Sequence, residues 1–330
     1  MVDAAPVPAP WLAERLQVRP VAHQPVAGGS IHQAWCLTVE ALQPLAPQPC
    51  APTCAPISAP DQPPPRRRLF AKTNRSTALP LLEAEAEGLA ALARFAPDCG
   101  LTVPEPLALG VSAGRAVLIL PWLDLDGAGP GGEAGWRRLG AGLARLHQRS
   151  LERDCIPGDR RDAFGWPRDN VIGAGTQRNG WDQHWARFFA ERRLAPQLQW
   201  LAAAGRPLRG AERLLERVPV WLASHSAQPC LVHGDLWSGN AGLTAEGGAA
   251  LFDPAVHRAD REVDLAMARL FGGFPTAFFT AYAQTWPLLP GHRQRVPLYN
   301  LYHLLNHANL FGGSYCAQAQ ACIDQLLAEG

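Results

Sequence analysis

Lysine, charged residues in general and long apolar runs are all scarce in this chain of 330 residues. Charged residues make up 18% of it, and the formal net charge is +1, which argues against a broad electrostatic surface for nucleic acid or membranes. No apolar run approaches the ~20 residues that a transmembrane helix needs. Residues 1–16 also lack the basic and apolar regions of a secretory signal peptide. We therefore expect a globular, cytoplasmic protein with no nucleic-acid or membrane partner.

The cysteines give no indication of disulfides or of a metal site. There are eight, scattered along the chain, and a chain of this length does not need disulfides to stabilise its fold. Cys50 and Cys54 lie close together in a proline-rich stretch, without the further ligands of a closed zinc site. We expect thiols in a reducing compartment.

A single lysine stands against 29 arginines among the 30 basic residues. Gene composition alone can produce an arginine bias. The exception is still informative, because a compact ammonium and a planar guanidinium are not interchangeable at a crowded phosphate site. Lys72 lies in the short strand-like segment LFAKTN.

The pattern along the chain predicts two parts, residues 1–120 and residues 121–330. The first is rich in predicted strands, including a hairpin over LALGVSAGRAVLILPWL, and has one helix over ALPLLEAEAEGLAALARF. Residues 43–65, dominated by proline, predict an extended loop inserted between two strands. The second part is helical, with short strands around PCLVHGD and AALFDPA. This α+β, bilobal layout is typical of ATP-dependent kinases.

The segment HGDLWSGN, residues 233–240, has the D-x-x-x-x-N spacing of a kinase catalytic loop, with Gly234 in place of the arginine. Asp235 would accept the proton of the attacking hydroxyl, and Asn240 would bind a metal ion. Asp253 follows another short apolar run and would be a second metal ligand. His233 is expected to brace the loop rather than to take a proton.

The same hypothesis needs a cation on the nucleotide phosphates and a carboxylate that fixes it. Lys72 is the candidate cation. Glu83, Glu85 and Glu87 are candidate partners; we favour Glu85, because Leu89 and Leu92 follow it at i+4 and i+7. Glu83 and Glu87 are expected to be solvated.

Two further segments are expected at the nucleotide. Gly28, Gly29 and Ser30 precede a predicted strand, where backbone amides could approach phosphate oxygens. Residues 118–123, LILPWL, would connect the two lobes and place Pro121, Trp122 and Leu123 near adenine.

At this point the sequence resembles the fructosamine kinase, or ketosamine kinase, family. The segments that carry the resemblance are HGDLWSGN, DREVDLAMARLFGGF, YNLYHLLNHANLFGGSY and FGWPRDNVIGAGTQRNGWDQHWARFFAERRLAPQLQ. It covers nearly the whole chain, from about Gly28 to Leu327.

The resemblance implies a protein-kinase-like fold close to the aminoglycoside phosphotransferases, with ATP and Mg²⁺ as cofactors. It implies phosphorylation of the 3-hydroxyl of a small-molecule or protein-bound ketosamine, which serves deglycation. Asp235 and Trp237 would meet the sugar, Trp237 through its aromatic face. His303, Asn306 and, less directly, Asn179 are further candidates on the substrate side. Trp237 could instead be a core residue, and the other three could be packing or capping residues.

Departures from the family pattern leave some points open. The sequence HRADRE has Arg258 and Ala259 where an aromatic residue and a glycine are frequent; a positive φ at Ala259 would cost about 1 kcal/mol. The proline-rich insertion is not typical either. Ser30 replaces a cysteine that some relatives carry, so their redox regulation is not carried over.

Two other functions compete with this one. The first is phosphorylation of an aminoglycoside, choline or another small alcohol. The second is a catalytically silent kinase-like binding protein, although every expected catalytic group has a candidate residue. Neither the ketosamine preferred nor the oligomeric state follows from the sequence.

Overall fold

The computed structural model describes residues 5–27, 31–42, 65–125 and 132–329. The predicted phosphate-loop residues Gly28, Gly29 and Ser30 lie outside these ranges. So does the proline-rich segment 43–65, apart from its last residue.

In order along the chain, the strands are β1 (Val18–Val26), β2 (Gln33–Ala41), β3 (Arg66–Arg75), β4 (Leu101–Thr102), β5 (Ala108–Ser112), β6 (Arg115–Pro121), β7 (Asn170–Ile172), β8 (Gly175–Gln177), β9 (Cys230–Val232), β10 (Ala241–Leu243), β11 (Ala249–Leu251) and β12 (His257–Ala259). The α-helices are α1 (Ala9–Leu16), α2 (Leu79–Ala93), α3 (Ala96–Cys99), α4 (Gly132–Arg149), α5 (Trp185–Phe188), α6 (Ala195–Ala203), α7 (Ala211–Trp221), α8 (Glu262–Leu270), α9 (Thr276–Thr285), α10 (His292–Phe311) and α11 (Ser314–Glu329). A 3₁₀ turn covers Ser76–Ala78 and a π-helical turn covers Phe189–Leu194.

The first compact unit comprises Met1–Ala86 and Pro104–Leu123. Its sheet has the order β1-β2-β3-β6-β5, with every neighbouring pair antiparallel. Side chains alternate between the faces of a strand. Leu69 and Ala71 of β3 therefore enter the apolar core, with Leu37 and Ile119, whereas Lys72 projects from the other face.

The predicted hairpin forms from β5 and β6. Ser112 pairs with Arg115, and the turn residues Ala113 and Gly114 have φ values of 47° and 74°. Two consecutive positive φ values give a turn whose twist matches that of the strands, so the short Ser-Ala-Gly signal marks this turn correctly.

The second unit comprises Glu87–Val103 and Asp124–Gly330 and is mainly helical. Apolar side chains of α5 to α8, α10 and α11 form its core. Three small sheets, β10-β11-β4, β12-β9 and β7-β8, accompany the helices. None of the helices in the described ranges combines the length and apolarity needed to cross a membrane.

The small sheets position two loops of this unit. β9 pairs with β12 and β10 with β11, all antiparallel. The loop after β9, residues 233–240, and the loop after β11, residues 252–256, therefore lie beside each other. The Ala255 N–H donates to the His233 carbonyl at 2.8 Å, which joins the two loops directly.

Candidate active site

His233 braces the first loop, as the sequence predicts. Its Nε2 donates to the Phe252 carbonyl at 2.9 Å, and its Nδ1 accepts from the Asp235 N–H at 3.3 Å. Burial lowers the pKa of His233. The imidazole is therefore neutral, with one nitrogen donating and the other accepting, and it ties the Asp235 N–H to the Phe252 carbonyl of the neighbouring loop.

Gly234 occupies a position that no side chain fits. Its φ is +82°, and a Cβ atom there would lie 2.1 Å from the Ala255 carbonyl oxygen. A glycine tolerates both the left-handed backbone and the close approach. This explains why glycine stands where a protein kinase has arginine.

Asp264 anchors the same loop, and we did not identify it from the sequence. Its carboxylate accepts the N–H groups of His233 at 2.7 Å and Gly234 at 2.8 Å, and the His147 Nε2 at 3.2 Å. Burial alone would raise the pKa of Asp264, but the bonds from His147 and the backbone outweigh it and lower that pKa. The available signal was an acidic residue inside the otherwise apolar stretch VDLAMA.

Asp235, Asn240 and Asp253 converge. The Asn240 Nδ2 donates to the Asp235 carbonyl at 2.9 Å, to the Asp235 Oδ2 at 3.2 Å and to the Asp253 carbonyl at 3.3 Å. Asp253 has a φ of 55°, a left-handed conformation that is uncommon outside glycine and typical of functional sites.

The electrostatics of this group favour a bound cation. Loss of hydration, followed by the negative charge of Asp253, raises the pKa of the Asp235 carboxyl to about 7, and the hydrogen bond from Asn240 offsets only part of this. Carboxylate and amide oxygens are the ligands that Mg²⁺ prefers. The donor set of Asn240 and Asp253 therefore fits such an ion.

In the first unit, Lys72 and Glu85 form a buried ion pair. The Lys72 Nζ lies 2.8 Å from the Glu85 Oε1, and the two side chains are 8% and 10% exposed. Glu83 is exposed. Of the three candidate glutamates, Glu85 is thus the one that the structure places against Lys72.

The expectation that Glu87 is solvated is wrong. The Trp166 Nε1 donates to the Glu87 Oε1 at 2.7 Å, and the Arg168 guanidinium lies 2.5 Å from the other oxygen. The helical stripe did not reveal this, because both partners come from a segment about 80 residues further along the chain.

Pro121, Trp122 and Leu123 follow one another at the end of β6. The Trp122 ring lies 6.2 Å from that of Phe70, and the Arg68 guanidinium lies 5.3 Å from the Trp122 ring centre. The aromatic side chain is thereby held against β3.

Comparisons with known proteins agree on one family. Residues 59–329 match the family model for fructosamine kinase. A probable ketoamine kinase of Synechocystis is 38% identical over 97% of this chain and 98% of its own length. Another, of Vibrio parahaemolyticus, is 40% identical over 79% of this chain and 85% of its own. The chain belongs to the fructosamine kinase family.

Solved structures support the fold. A structure from Haemophilus somnus assigned as a fructosamine-3-kinase superposes with a TM-score of 0.77 and 26% identity, covering 97% of this chain and 96% of that one. The aminoglycoside phosphotransferase APH(4)-Ia superposes with a TM-score of 0.58 at 16% identity, which bears on the fold alone. The predicted kinase-like α+β fold is confirmed.

As a fructosamine kinase family member, the chain is a phosphotransferase with an alcohol acceptor on a sugar-amine, and its family implies ATP as the donor. Trp237 is one of the residues predicted to contact the sugar. Trp237 lies in the loop two residues after Asp235, folds over Gly239 and remains 39% exposed. A Cβ on Gly239 would lie 2.3 Å from its ring, so Gly239 leaves room for the indole.

His303 and Asn306 of α10 are both buried. Burial lowers the pKa of His303 to about 3, and in the described residues its Nδ1 has no hydrogen-bond partner. The Asn306 Oδ1 accepts from the Gln197 Nε2 at 3.4 Å. The packing alternative left open for Asn306 is thus the one that its contacts favour.

A buried polar network supports the loop after β11 in this kinase. The Asn170 Nδ2 donates to the Val256 carbonyl at 2.7 Å, and the Gln177 Nε2 donates to the Ala255 carbonyl at 3.0 Å. The Tyr302 hydroxyl donates to the Gln177 Oε1 at 3.0 Å. Gln177 therefore holds the backbone two residues after Asp253.

Asn179 belongs to the same network. Its Nδ2 donates to the Asn170 Oδ1, and its Oδ1 accepts from the buried Arg193, at 2.9 and 2.8 Å. Asn179 is thereby a structural residue in the described contacts.

The strain considered at Ala259 does not occur. Ala259 lies in β12, paired with Cys230, and is not among the residues with positive φ. The neighbouring Arg258 is fully buried and forms a bidentate ion pair with Asp159. The departure from the family pattern is accommodated by this ion pair.

Proposed function

We propose that this chain transfers the γ-phosphoryl group of ATP to the 3-hydroxyl of a ketosamine, and so serves deglycation of amines and proteins. The convergence of Asp235, Asn240 and Asp253 carries the proposal, supported by family membership. The phosphorylated adduct then breaks down and releases the amine.

Asp235 acts as the base for the attacking hydroxyl. Because its pKa is raised to about 7, its carboxylate holds a proton more readily than an ordinary aspartate does. Asn240 and Asp253 would hold Mg²⁺, which would supply positive charge to offset the charge of the phosphate groups. Asn240 also keeps the Asp235 side chain in place through its own Nδ2.

Lys72 places its ammonium on the nucleotide phosphates, and Glu85 fixes its position. Gly28, Gly29 and Ser30 supply backbone N–H groups to phosphate, and residues 121–123 contact adenine. The two units accordingly act as a nucleotide-binding lobe and a catalytic lobe.

On the acceptor side, Trp237 presents an aromatic face to the sugar. His303 is an uncharged imidazole with an unused nitrogen that can bond a sugar hydroxyl. We give Asn306 a supporting role on α10, since its side chain already bonds Gln197.

Release of ADP from Mg·ATP tests the proposal. The acceptors are a ribulose-amine adduct, a fructose-amine adduct, an aminoglycoside and choline. Turnover on a ketosamine is expected, with a loss of ~10²–10⁴-fold in Asp235→Asn because the base is gone. Lys72→Arg should also fail, because the guanidinium is too broad for the site.

Other outcomes separate the competing functions. Turnover only on the aminoglycoside or choline would mean that the substrate belongs to that class of alcohols and is not a ketosamine. If ATP binds but no acceptor is turned over, the kinase fold still holds and a ketosamine is rejected as the substrate. Absence of thermal stabilisation by Mg·ATP would favour a silent binding protein.

A further inference from the structure

Four rings form an aromatic cluster in the second unit: Phe271, His307, Phe311 and Tyr315. His307 is central, with ring centres 4.9 Å from Phe271, 5.5 Å from Phe311 and 5.0 Å from Tyr315. Phe271 is 37% exposed and Phe311 is 55% exposed. These rings lie in the segments DREVDLAMARLFGGF and YNLYHLLNHANLFGGSY, and the catalytic roles described above use none of the four.

Open aromatic surface of this kind is uncommon in the chain. Within the described ranges, the phenylalanines and tryptophans in the exposed class are Trp200, Trp237, Phe271 and Phe311. Trp237 belongs to the catalytic loop, and two of the others belong to the aromatic cluster. Exposed apolar surface that is concentrated rather than scattered marks a binding surface.

A glycine turn connects the aromatic cluster to the catalytic loop. Gly272 and Gly273, which follow Phe271, have φ values of +73° and +90°. A Cβ atom on Gly273 would lie 2.4 Å from the Cβ of Ser238, the residue after Trp237. The cluster is therefore continuous with the loop that presents Asp235 and Trp237.

The aromatic cluster is uncharged. The His307 Nδ1 donates to the His303 carbonyl at 2.8 Å, and burial lowers the pKa of His307. The other three members have neutral rings. Such a surface suits an apolar or aromatic group, and its ring faces attract a nearby ammonium.

We propose that the aromatic cluster binds the amine-bearing part of the ketosamine, and that it selects adducts of apolar or aromatic amines. The inference rests on the proposed function, since it assigns a subsite next to the same catalytic loop. The sugar would meet Trp237, and the carrier of its amine would extend over Phe271 and Phe311.

Two adducts of one sugar test this. The first is built on benzylamine and the second on methylamine, and KM and kcat are measured for both by ADP release. The wild-type chain should have a KM about tenfold lower for the benzylamine adduct, a ratio typical of an aromatic contact. In Phe271→Ala and in Phe311→Ala this preference should disappear. The KM for the benzylamine adduct should rise, and the KM for the methylamine adduct should stay the same.

Matched variants exclude a general effect on the fold. Trp200→Ala removes an exposed aromatic ring outside the aromatic cluster and should keep the preference. Phe271→Leu and Phe311→Leu keep apolar bulk and should retain part of it. Melting temperatures identify any variant that is merely unfolded, in which case the leucine variants decide.

The possible failures are distinguishable. If the wild-type chain turns over both adducts with the same KM, the subsite is refuted and the kinase activity stands. A preference that survives in both alanine variants refutes it as well. If neither adduct is turned over, the proposed function fails and this inference fails with it.

Discussion

The environment of Asp235 differs strongly from that of the same side chain in an unfolded chain. Its pKa is raised to about 7, against about 4 in a flexible peptide. The folded state therefore binds this proton more tightly than the unfolded state does. The resulting stability is complete below about pH 4 and is lost as the pH rises through about 7.

Asp235→Asn removes the ionisable carboxyl group, and with it the loss of folding stability at high pH. In magnesium-free buffer at pH 8, the variant should melt at a higher temperature than the wild-type chain, and the difference should narrow as the pH falls towards 5. Asp324→Asn changes an exposed carboxylate on α11 and should show little difference at any pH. Equal melting temperatures of Asp235→Asn and wild type at pH 8 would mean that Asp235 ionises like an ordinary aspartate.

The Lys72–Glu85 pair gives a second prediction at this scale. Glu85→Gln leaves a buried ammonium without its carboxylate, and we expect a rise of about tenfold or more in the KM for ATP, as for the loss of a charged hydrogen bond. Glu83→Gln, on the exposed side of the same helix, is the matched control. Similar ATP kinetics in the two variants would remove Glu85 from nucleotide binding.

At the scale of elements, two short loops depend on groups distant in sequence. The loop after β9 is fixed by Asp264 of α8, and the loop after β11 is fixed by Gln177 of β8. The loop after β9 also has bonds within it, such as that from the Asn240 N–H to the Trp237 carbonyl at 2.9 Å. Asp253 is left-handed, a conformation that persists where surrounding contacts hold it, and the bond from Gln177 to the Ala255 carbonyl is one such contact.

Gln177→Leu should therefore impair metal use more than it impairs folding. We expect the Mg²⁺ concentration for half-maximal activity to rise about tenfold, as for the loss of a residue that orients a metal ligand. Tyr302→Phe removes the hydroxyl that bonds Gln177 but keeps Gln177 itself, and it should have a smaller effect. Gln325→Leu, at an exposed position of α11, is the control; an unchanged Mg²⁺ requirement in Gln177→Leu would contradict this role.

Local patterns predicted some elements and not others. The hairpin of β5 and β6 and the strands β9 and β11 have apolar runs next to turn residues, and sequence reasoning identified them. Strand β1 was missed, because Pro20 and Pro25 argue against a strand; it lies at the edge of its sheet, where proline is tolerated. Strand β12 has the polar sequence HRA and forms only because β9 pairs with it.

The same division holds for the site. Asp235, Asn240 and Asp253 share a spacing that chemistry requires, so the sequence could identify them as candidates. Asp264 and Gln177 act through contacts between residues 30 and 78 positions apart. The apolar surroundings of Asp264 in the sequence were its one local signal, and nothing local distinguishes Gln177 from other polar residues.

At the scale of the whole molecule, each of the two units holds one set of the predicted site residues. The first holds Lys72 and Glu85, and the second holds Asp235, Asn240 and Asp253. Family membership makes the chain a phosphotransferase. The proposal adds that its substrate is a ketosamine. A kinase that acts as we propose must esterify a secondary hydroxyl of the sugar, and the amine must then leave the phosphorylated adduct.

Phosphorus NMR of the reaction with Mg·ATP and a ribulose-amine or fructose-amine adduct tests this most directly, with free amine assayed in the same sample. The account predicts a new phosphate-ester signal split into a doublet by the single proton on C3. That signal should then decay as the amine appears, and it should be absent with Asp235→Asn. A triplet from a primary hydroxyl, or ATP consumption with no sugar ester, would contradict it.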